Sequence, residues 1–151
     1  MDSALPFTIR SASWRDVHEL SKLERACFEQ DAWPLIDLLG VLSFPGVVRL
    51  KAEMNGKMIG FIGGETRDHQ QTGWIITLGV LPEYRRQGVA QELLQECEAQ
   101  LASVRTIRLC VRVSNEGAIH LYKNMGYVQV EIWAQYYRGG EDALVLEKQI
   151  I

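Results

Sequence analysis

No stretch of this sequence approaches the roughly 18 consecutive apolar residues that a membrane-crossing helix needs. Met1 to Ile9 contains Asp2 and Pro6 and carries no apolar run of signal-peptide type. No Lys/Arg block stands out and the formal net charge is −3, which argues against a general nucleic-acid binder. A weakly acidic surface suits a cationic amine without selecting one. The three cysteines, Cys27, Cys97 and Cys110, are odd in number, far apart and not at metal-ligand spacing. They read as free thiols in a reducing, cytoplasmic compartment. His18, His69 and His120 are scattered and receive no role, and no repeat, low-complexity tract or linker divides the chain.

What is present fits a globular protein of one domain, residues 1–151, with 47% hydrophobic and 23% charged residues. Phe7–Arg10 reads as a short strand. Ser13 caps a helix with Asp16 in its first turn and Val17, Leu20, Leu23 and Cys27 at helical spacing. Trp33-Pro34 breaks the chain before a second helix, Leu35–Leu42. Val47–Glu53 and Lys57–Glu65 form a hairpin turning at Asn55-Gly56, and Gly73–Leu81 is a third strand ending at Pro82. An amphipathic helix follows from Gly88 to about Ser103, with Val89, Ala90, Leu93, Leu94, Cys97 and Leu101 as its apolar stripe. In Thr106–Val113 the residues Ile107, Leu109, Val111 and Val113 face one way and Arg108, Cys110 and Arg112 the other. Asn115 caps a helix that Gly126 stops near Met125. Strands at Val128–Trp133 and Ala143–Lys148 close the order β-α-α-β-β-β-α-β-α-β-β.

The strongest chemical signal is Arg85-Arg86-Gln87-Gly88-Val89-Ala90, between a strand and a helix. Such a turn presents successive backbone N–H groups at a helix N-terminus, where the dipole also favours an anion. Gly88 and Ala90 allow close approach, and the arginines add charge-assisted hydrogen bonds. Read alone, the hexapeptide fits an ordinary solvated basic helix start equally well.

Its context separates the two. The loop resembles the Q/R-x-x-G-x-G/A signature of the GNAT superfamily of acyl-CoA N-acyltransferases, matching at Arg85, Gly88 and Ala90 after the strand end Leu78-Gly79-Val80-Leu81-Pro82. The segment from Ser114-Asn115 through Ala118 and Leu121-Tyr122 to Gly126-Tyr127 is similar to that family's second acyl-CoA element. The resemblance implies an α/β (α+β) fold: a mixed, mostly antiparallel sheet flanked by helices. It also implies acetyl-CoA as co-substrate, with no metal, held by Leu78, Gly79, Val80, the six residues Arg85 to Ala90, Asn115, Ala118 and Tyr122. A narrower resemblance covers Thr77-Leu78-Gly79-Val80, Val111 to Glu116 and Tyr136-Tyr137 with Glu141-Asp142-Ala143. It is to the protein N-terminal acetyltransferases, including the ribosomal-protein alanine type.

Direct transfer to an unprotonated amine is the mechanism this implies. Backbone N–H groups near Leu78 and Val80 would hold the thioester carbonyl, and Tyr122 would hydrogen-bond the leaving sulfur, whose thiol pKa lies near ~8.5. The proton acceptor is where the chain departs from the family. Cys110 stands where the bacterial enzymes have Glu and a eukaryotic branch has His, and Trp74 stands where that branch has a Tyr near the start of the strand leading to the phosphate loop. Three routes are open. A water chain can end on Glu65 or Glu24. A strong base is dispensable on a second route, because an α-amine is ~10–20% neutral at pH 7 against ~0.04% for lysine. Or Cys110 can act as a thiolate base or an acylated nucleophile, with the flanking arginines lowering its pKa; the plainer reading of Cys110 is an inert strand residue.

Tyr136 and Tyr137 are expected to wall the acceptor site, opposite Phe28 and Trp33. The leading expectation is acetylation of a protein or peptide N-terminal amine, plausibly ribosomal or nascent, by a monomer or homodimer with no direct nucleic-acid or membrane contact. Small-amine acetylation and a non-catalytic acyl-CoA-binding module are the alternatives, since the superfamily fold serves many acceptors.

Overall fold

The computed structural model describes residues 6–67, 69 and 71–150, so the expected limits at Met1 and Ile151 lie outside the described residues, as does Asp2. In chain order the elements are β1 (Thr8–Ser11), α1 (Val17–Phe28), α2 (Leu35–Ser43), β2 (Val47–Met54), β3 (Lys57–Arg67), β4 (Thr72–Val80), α3 (Val89–Gln100), β5 (Thr106–Arg112), α4 (Glu116–Asn124), β6 (Val128–Trp133) and β7 (Ala143–Gln149). This is the expected order. One-turn 3-10 segments at Trp14–Asp16, Glu29–Asp31 and Pro82–Tyr84 join them.

Local chemistry explains the punctuation. Asn55 and Gly56 both take positive φ, 52° and 75°, the pair that turns β2 into β3 without splaying the strands. The Asn115 side chain accepts from the Ala118 N–H at 3.3 Å and starts α4. Gly126, at φ 98°, lies just beyond the end of that helix.

One sheet of seven strands runs β1-β2-β3-β4-β5-β7-β6. Every pairing is antiparallel except β4 with β5. The sheet separates two apolar clusters. On one face α1 and α2 bring Val17, Leu20, Leu23, Leu38, Val41 and Leu42 against Met58 and Phe61. On the other, Val89, Leu93, Leu94 and Cys97 of α3 and Tyr122 of α4 pack on Ile62, Ile75, Ile107, Leu109 and Val111. Covered on both faces, β3 reads as a nearly continuous apolar run rather than an alternation.

One expectation about β5 fails. The strand ends at Arg112, so Val113 leaves the apolar face and is 41% exposed.

The feature that positions the site is a parting of strands. β4 and β5 pair only at Thr72–Trp74 against Thr106–Arg108. Opposite Gly63 and Gly64, the β3 register then shifts and leaves Ile76 as an extra residue on β4. Such a bulge bends its strand, and from there β4 and β5 diverge, leaving a gap in the middle of the sheet.

Packing under that bulge is tight. A Cβ on Gly64 would lie 2.8 Å from Cys97 Sγ and 3.2 Å from Leu101 Cδ1. Gly64→Ala is expected to lower stability by about 1–3 kcal/mol through overpacking. Cys97→Ala in the same chain should return most of that loss, read as a coupling energy from denaturant unfolding. Additive effects of the two substitutions would mean that this contact is not where α3 meets the sheet.

Candidate active site

Past β4 the chain turns through Pro82–Tyr84 and reaches α3 with Arg86 at φ 64° and Gly88 at φ 84°. Both are left-handed positions, and no atom lies within 4 Å of where a Gly88 Cβ would stand. The first turn of α3 leaves its N–H groups without intrahelical partners, and they open onto a cleft of about 1120 Å³. Leu78, Gly79 and Val80 form one side of it; Arg85, Arg86, Gly88, Val89 and Ala90 form the phosphate-loop side; Asn115, Ala118 and Tyr122 of the α4 region form the other. Of the expected coenzyme residues Gln87 alone is not among those lining this cleft. Cys27, Tyr84 and His120, which carried no expectation of coenzyme contact, do line it. The donor set fits a pyrophosphate: a helix N-terminus, a glycine open to approach and two arginines. Arg85 also has a structural duty, since its Nε donates to the Val80 carbonyl at 3.0 Å.

A second cavity, about 170 Å³, opens on the α1–α2 side of the gap. Phe28 and Trp33 bound it on one side, Cys110 and Arg112 of β5 and Tyr137 of the β6–β7 hairpin on the other, with Thr77 and Leu78 on β4. Five residues line both spaces: Phe28, Leu78, Asn115, Ala118 and Tyr122. The two spaces therefore meet at Leu78 and Tyr122. The Leu81 N–H donates to the Ile59 carbonyl at 2.9 Å. By strand alternation the N–H groups of Leu78 and Val80 then point away from β3, into the gap.

Three titratable groups lie at or beside this junction. Glu24, on the same helical stripe as Leu20 and Cys27, is 1% exposed. Its Oε2 accepts from the Thr77 hydroxyl at 3.1 Å, while Oε1 has no partner among the described residues. Burial pushes its pKa up to about 7 against the opposing bonds from Thr77 and the Trp33 backbone. Tyr122, 7% exposed, is also raised by burial and is a neutral phenol at any physiological pH. Cys110 lies at the cavity, but burial pushes its thiol up to about 11, with only Arg67 opposing.

The expectation of an arginine-activated thiolate is therefore corrected. Arg108 is bound to Glu147 at 2.6 Å and Glu131 at 3.4 Å, and Arg112 to Asp31 and Glu141. The charges beside Cys110 on β5 are already neutralised.

Two other candidates sit apart. Glu65 is held by Arg67 at 2.7 Å and lines neither space. Tyr136 is 53% exposed, lines neither space, and packs edge-on against Tyr137 at 5.0 Å. Trp74 is stacked on Trp133 at 6.0 Å. Asp31, Thr77 and Arg112 line the smaller cavity without having been singled out as site residues. The sequence pattern offered a signal for Glu24, an acid on an apolar stripe, but none for the Asp31–Arg112 pair.

Among the described residues no helix is long and apolar enough to cross a membrane. Nor does any group of three or more His, Cys, Asp or Glu side chains form a place for a metal.

Comparison with known proteins gives a consistent picture. Residues 10–127 match the model of the acetyltransferase (GNAT) family. An N-alpha-acetyltransferase of Sulfurisphaera tokodaii is 29% identical over 153 residues, covering 93% of this chain and 91% of the relative. An uncharacterised N-acetyltransferase of Methanocaldococcus jannaschii is 33% identical over 144 residues, covering 93% and 90%. The crystal structure of the ribosomal-protein-S18-alanine N-acetyltransferase from Escherichia coli superposes with a TM-score of 0.85 at 27% identity, covering 95% and 94%.

The state of Cys110 is directly measurable. Raised from 9.0 to about 11, its thiol holds about a hundredfold less thiolate at pH 8 than an ordinary one. Iodoacetamide labelling at pH 8, followed by mass spectrometry, should run about a hundredfold slower at Cys110 than in the unfolded chain. Equal rates would restore the activated thiolate.

Proposed function

This chain belongs to the acetyltransferase (GNAT) family and is an acetyl-CoA-dependent acyltransferase, and we propose that it acetylates the α-amine at the N-terminus of a protein or peptide. The observation that carries this is the small aromatic-walled cavity that meets the large cleft at Leu78 and Tyr122. At about 170 Å³ it suits a small first side chain followed by a chain leaving toward solvent. Relatives named N-alpha-acetyltransferase support the same acceptor. The likeness to the Escherichia coli ribosomal-protein-S18-alanine enzyme favours a ribosomal protein beginning with a small residue. We take residues 1–151 as one catalytic domain working in a reducing cytoplasm, which the free cysteines Cys27, Cys97 and Cys110 suit.

Acetyl-CoA, when bound, supplies the thioester that is attacked. The chain supplies four things. The α3 N-terminus and its arginines hold a pyrophosphate. The N–H groups of Leu78 and Val80 face the gap, where they stabilise negative charge developing on an acyl oxygen. The neutral Tyr122 phenol donates a hydrogen bond toward a leaving thiolate. Glu24 takes the proton that the amine sheds, through the Thr77 hydroxyl that lines the acceptor cavity and already donates to it at 3.1 Å. A water between amine and Thr77 completes the relay.

The pKa of the base selects the acceptor. A carboxylate near 7 is matched to an α-amine of pKa ~7.7–8.0. A lysine at ~10.4 would be about 3–4 kcal/mol harder to neutralise in the same site.

A panel of peptides and small amines with acetyl-CoA tests the acceptor. Turnover is expected for peptides with a free N-terminus and a small first residue. Blocking that terminus should abolish it, with lysine side chains unmodified by mass spectrometry. Turnover confined to polyamines or aminoglycosides would refute the reading.

Glu24 has a signature in pH. As a base it must be ionised, so peptide kcat/KM should fall with slope two below pH 7, where Glu24 and the amine both protonate. Glu24→Gln should leave slope one and lower the plateau about 100-fold. Stability carries the opposite sign. The folded pKa lies above the ordinary 4.5, so the stabilisation is full below pH 4.5 and is lost as pH rises to about 7. That loss, on the order of 3 kcal/mol, should be absent from the pH series of Glu24→Gln. A variant that keeps the wild-type rate profile would remove Glu24 from catalysis.

A further inference from the structure

The two walls of the acceptor cavity come from irregular segments far apart in sequence. One is the connection between α1 and α2, carrying Asp31 and Trp33; the other is the β6–β7 hairpin, carrying Tyr137 and Glu141. Neither belongs to the sheet ladder at these residues, so neither inherits its position from strand pairing. Among the described residues one side chain hydrogen-bonds to both. Arg112, the last residue of β5, donates to Asp31 from Nε at 2.5 Å and from Nη2 at 2.7 Å. Its Nη1 donates to Glu141 at 2.8 Å, and Nη2 also reaches the Arg138 carbonyl at 3.4 Å. The guanidinium centre lies 4.5 Å from the centre of the Tyr137 ring.

The other oxygen of Glu141 accepts from the Ser114 N–H at 2.8 Å. Ser114 precedes the Asn115 cap of α4, the helix that presents Tyr122. The network thus runs from the α1–α2 wall through Arg112 to the hairpin, and on to the start of the helix at the cleft junction. Burial and geometry make it more than a surface ion pair: the side chains of Arg112, Asp31 and Glu141 are 20%, 21% and 24% exposed, and one pairing is bidentate.

We propose that Arg112 is a positioning residue that sets the width of the acceptor cavity by latching the α1–α2 connection to the β6–β7 hairpin. The statement rests on the smaller cavity being the acceptor site. The latch needs a planar fork that serves two carboxylates at once while stacking on Tyr137, and lysine has the charge without the fork. Arg112 lines the smaller cavity and not the coenzyme cleft, so its effect belongs to the acceptor.

Steady-state kinetics with acetyl-CoA and an N-terminal alanine peptide separate the latch from a merely structural role. Arg112→Lys and Asp31→Asn are each expected to raise the peptide KM at least tenfold, with acetyl-CoA KM within twofold of wild type. Because both break one contact, Arg112→Lys should add less than threefold in the Asp31→Asn background. Hydrogen exchange provides the second readout: in Arg112→Lys the amides of residues 29–33 and 135–141 should lose protection together, with β5 unchanged. Peptide KM within twofold of wild type in both single variants would overturn the latch. So would a parallel rise in acetyl-CoA KM, or loss of protection in one wall only. If the wild-type chain acetylates no peptide, the acceptor reading fails instead, and the paired exchange response alone decides whether Arg112 joins the walls.

Discussion

The site depends on the parting of β4 and β5. Three residue pairs hold the two strands side by side, and then the sheet opens. Opening a sheet in its middle is costly, because a row of backbone donors and acceptors loses its ladder. Two arrangements limit that cost. β5 keeps a full antiparallel partner in β7 on its other side, and β4 keeps one in β3. What remains is the inner edge of β4, where the Val80 carbonyl is taken by Arg85 and the Cys27 thiol. The N–H groups of Leu78 and Val80 are left facing the gap. An acyl carbonyl would fit such an edge, which is why the proposed mechanism places the thioester there. The large cleft and the smaller cavity both open onto this gap.

Most of the fold was legible because its signals are local. Helical stripes, the Asn55-Gly56 turn, the Asn115 cap and the phosphate loop each need only a short window of sequence, and the observed elements follow them closely. The parting itself was not legible: it follows from a register shift opposite Gly63 and Gly64, and register is a property of two strands. The end of β5 is not legible at Val113 for the same reason, since alternation continues in the sequence past the point where pairing stops. Long-range charge pairing was the other blind spot. From neighbouring positions alone, Arg108 and Arg112 looked available to activate Cys110. Their actual partners lie 39 and 81 residues away, and burial, not a neighbouring charge, sets the state of the thiol.

Cys110 and Trp74 now have a common explanation. The family resemblance implies a proton-accepting side chain at each position; here Cys110 lies beside the smaller cavity and Trp74 is stacked on Trp133 and under Arg67 at 5.0 Å. On the reading proposed above, the proton goes to another group. On the proposed route the path from the smaller cavity leads through Thr77 to Glu24 on α1, while Glu65 lines neither space and is tied to Arg67.

Burying Glu24 is an unfavourable choice for stability alone. A carboxylate with one oxygen unpartnered is destabilising once ionised, and an apolar residue at this place on the α1 stripe would pack without that penalty. The same desolvation that weakens the fold lifts the pKa from the ordinary 4.5 to about 7. A carboxyl left at 4.5 would be a poor match for an amine near 8, and one lifted far above 7 would be protonated at working pH. Burial, offset by a hydroxyl and a backbone group, puts the acid between those limits. On the proposed role of Glu24, the desolvation that weakens this core and a preference for an α-amine over lysine have one physical origin.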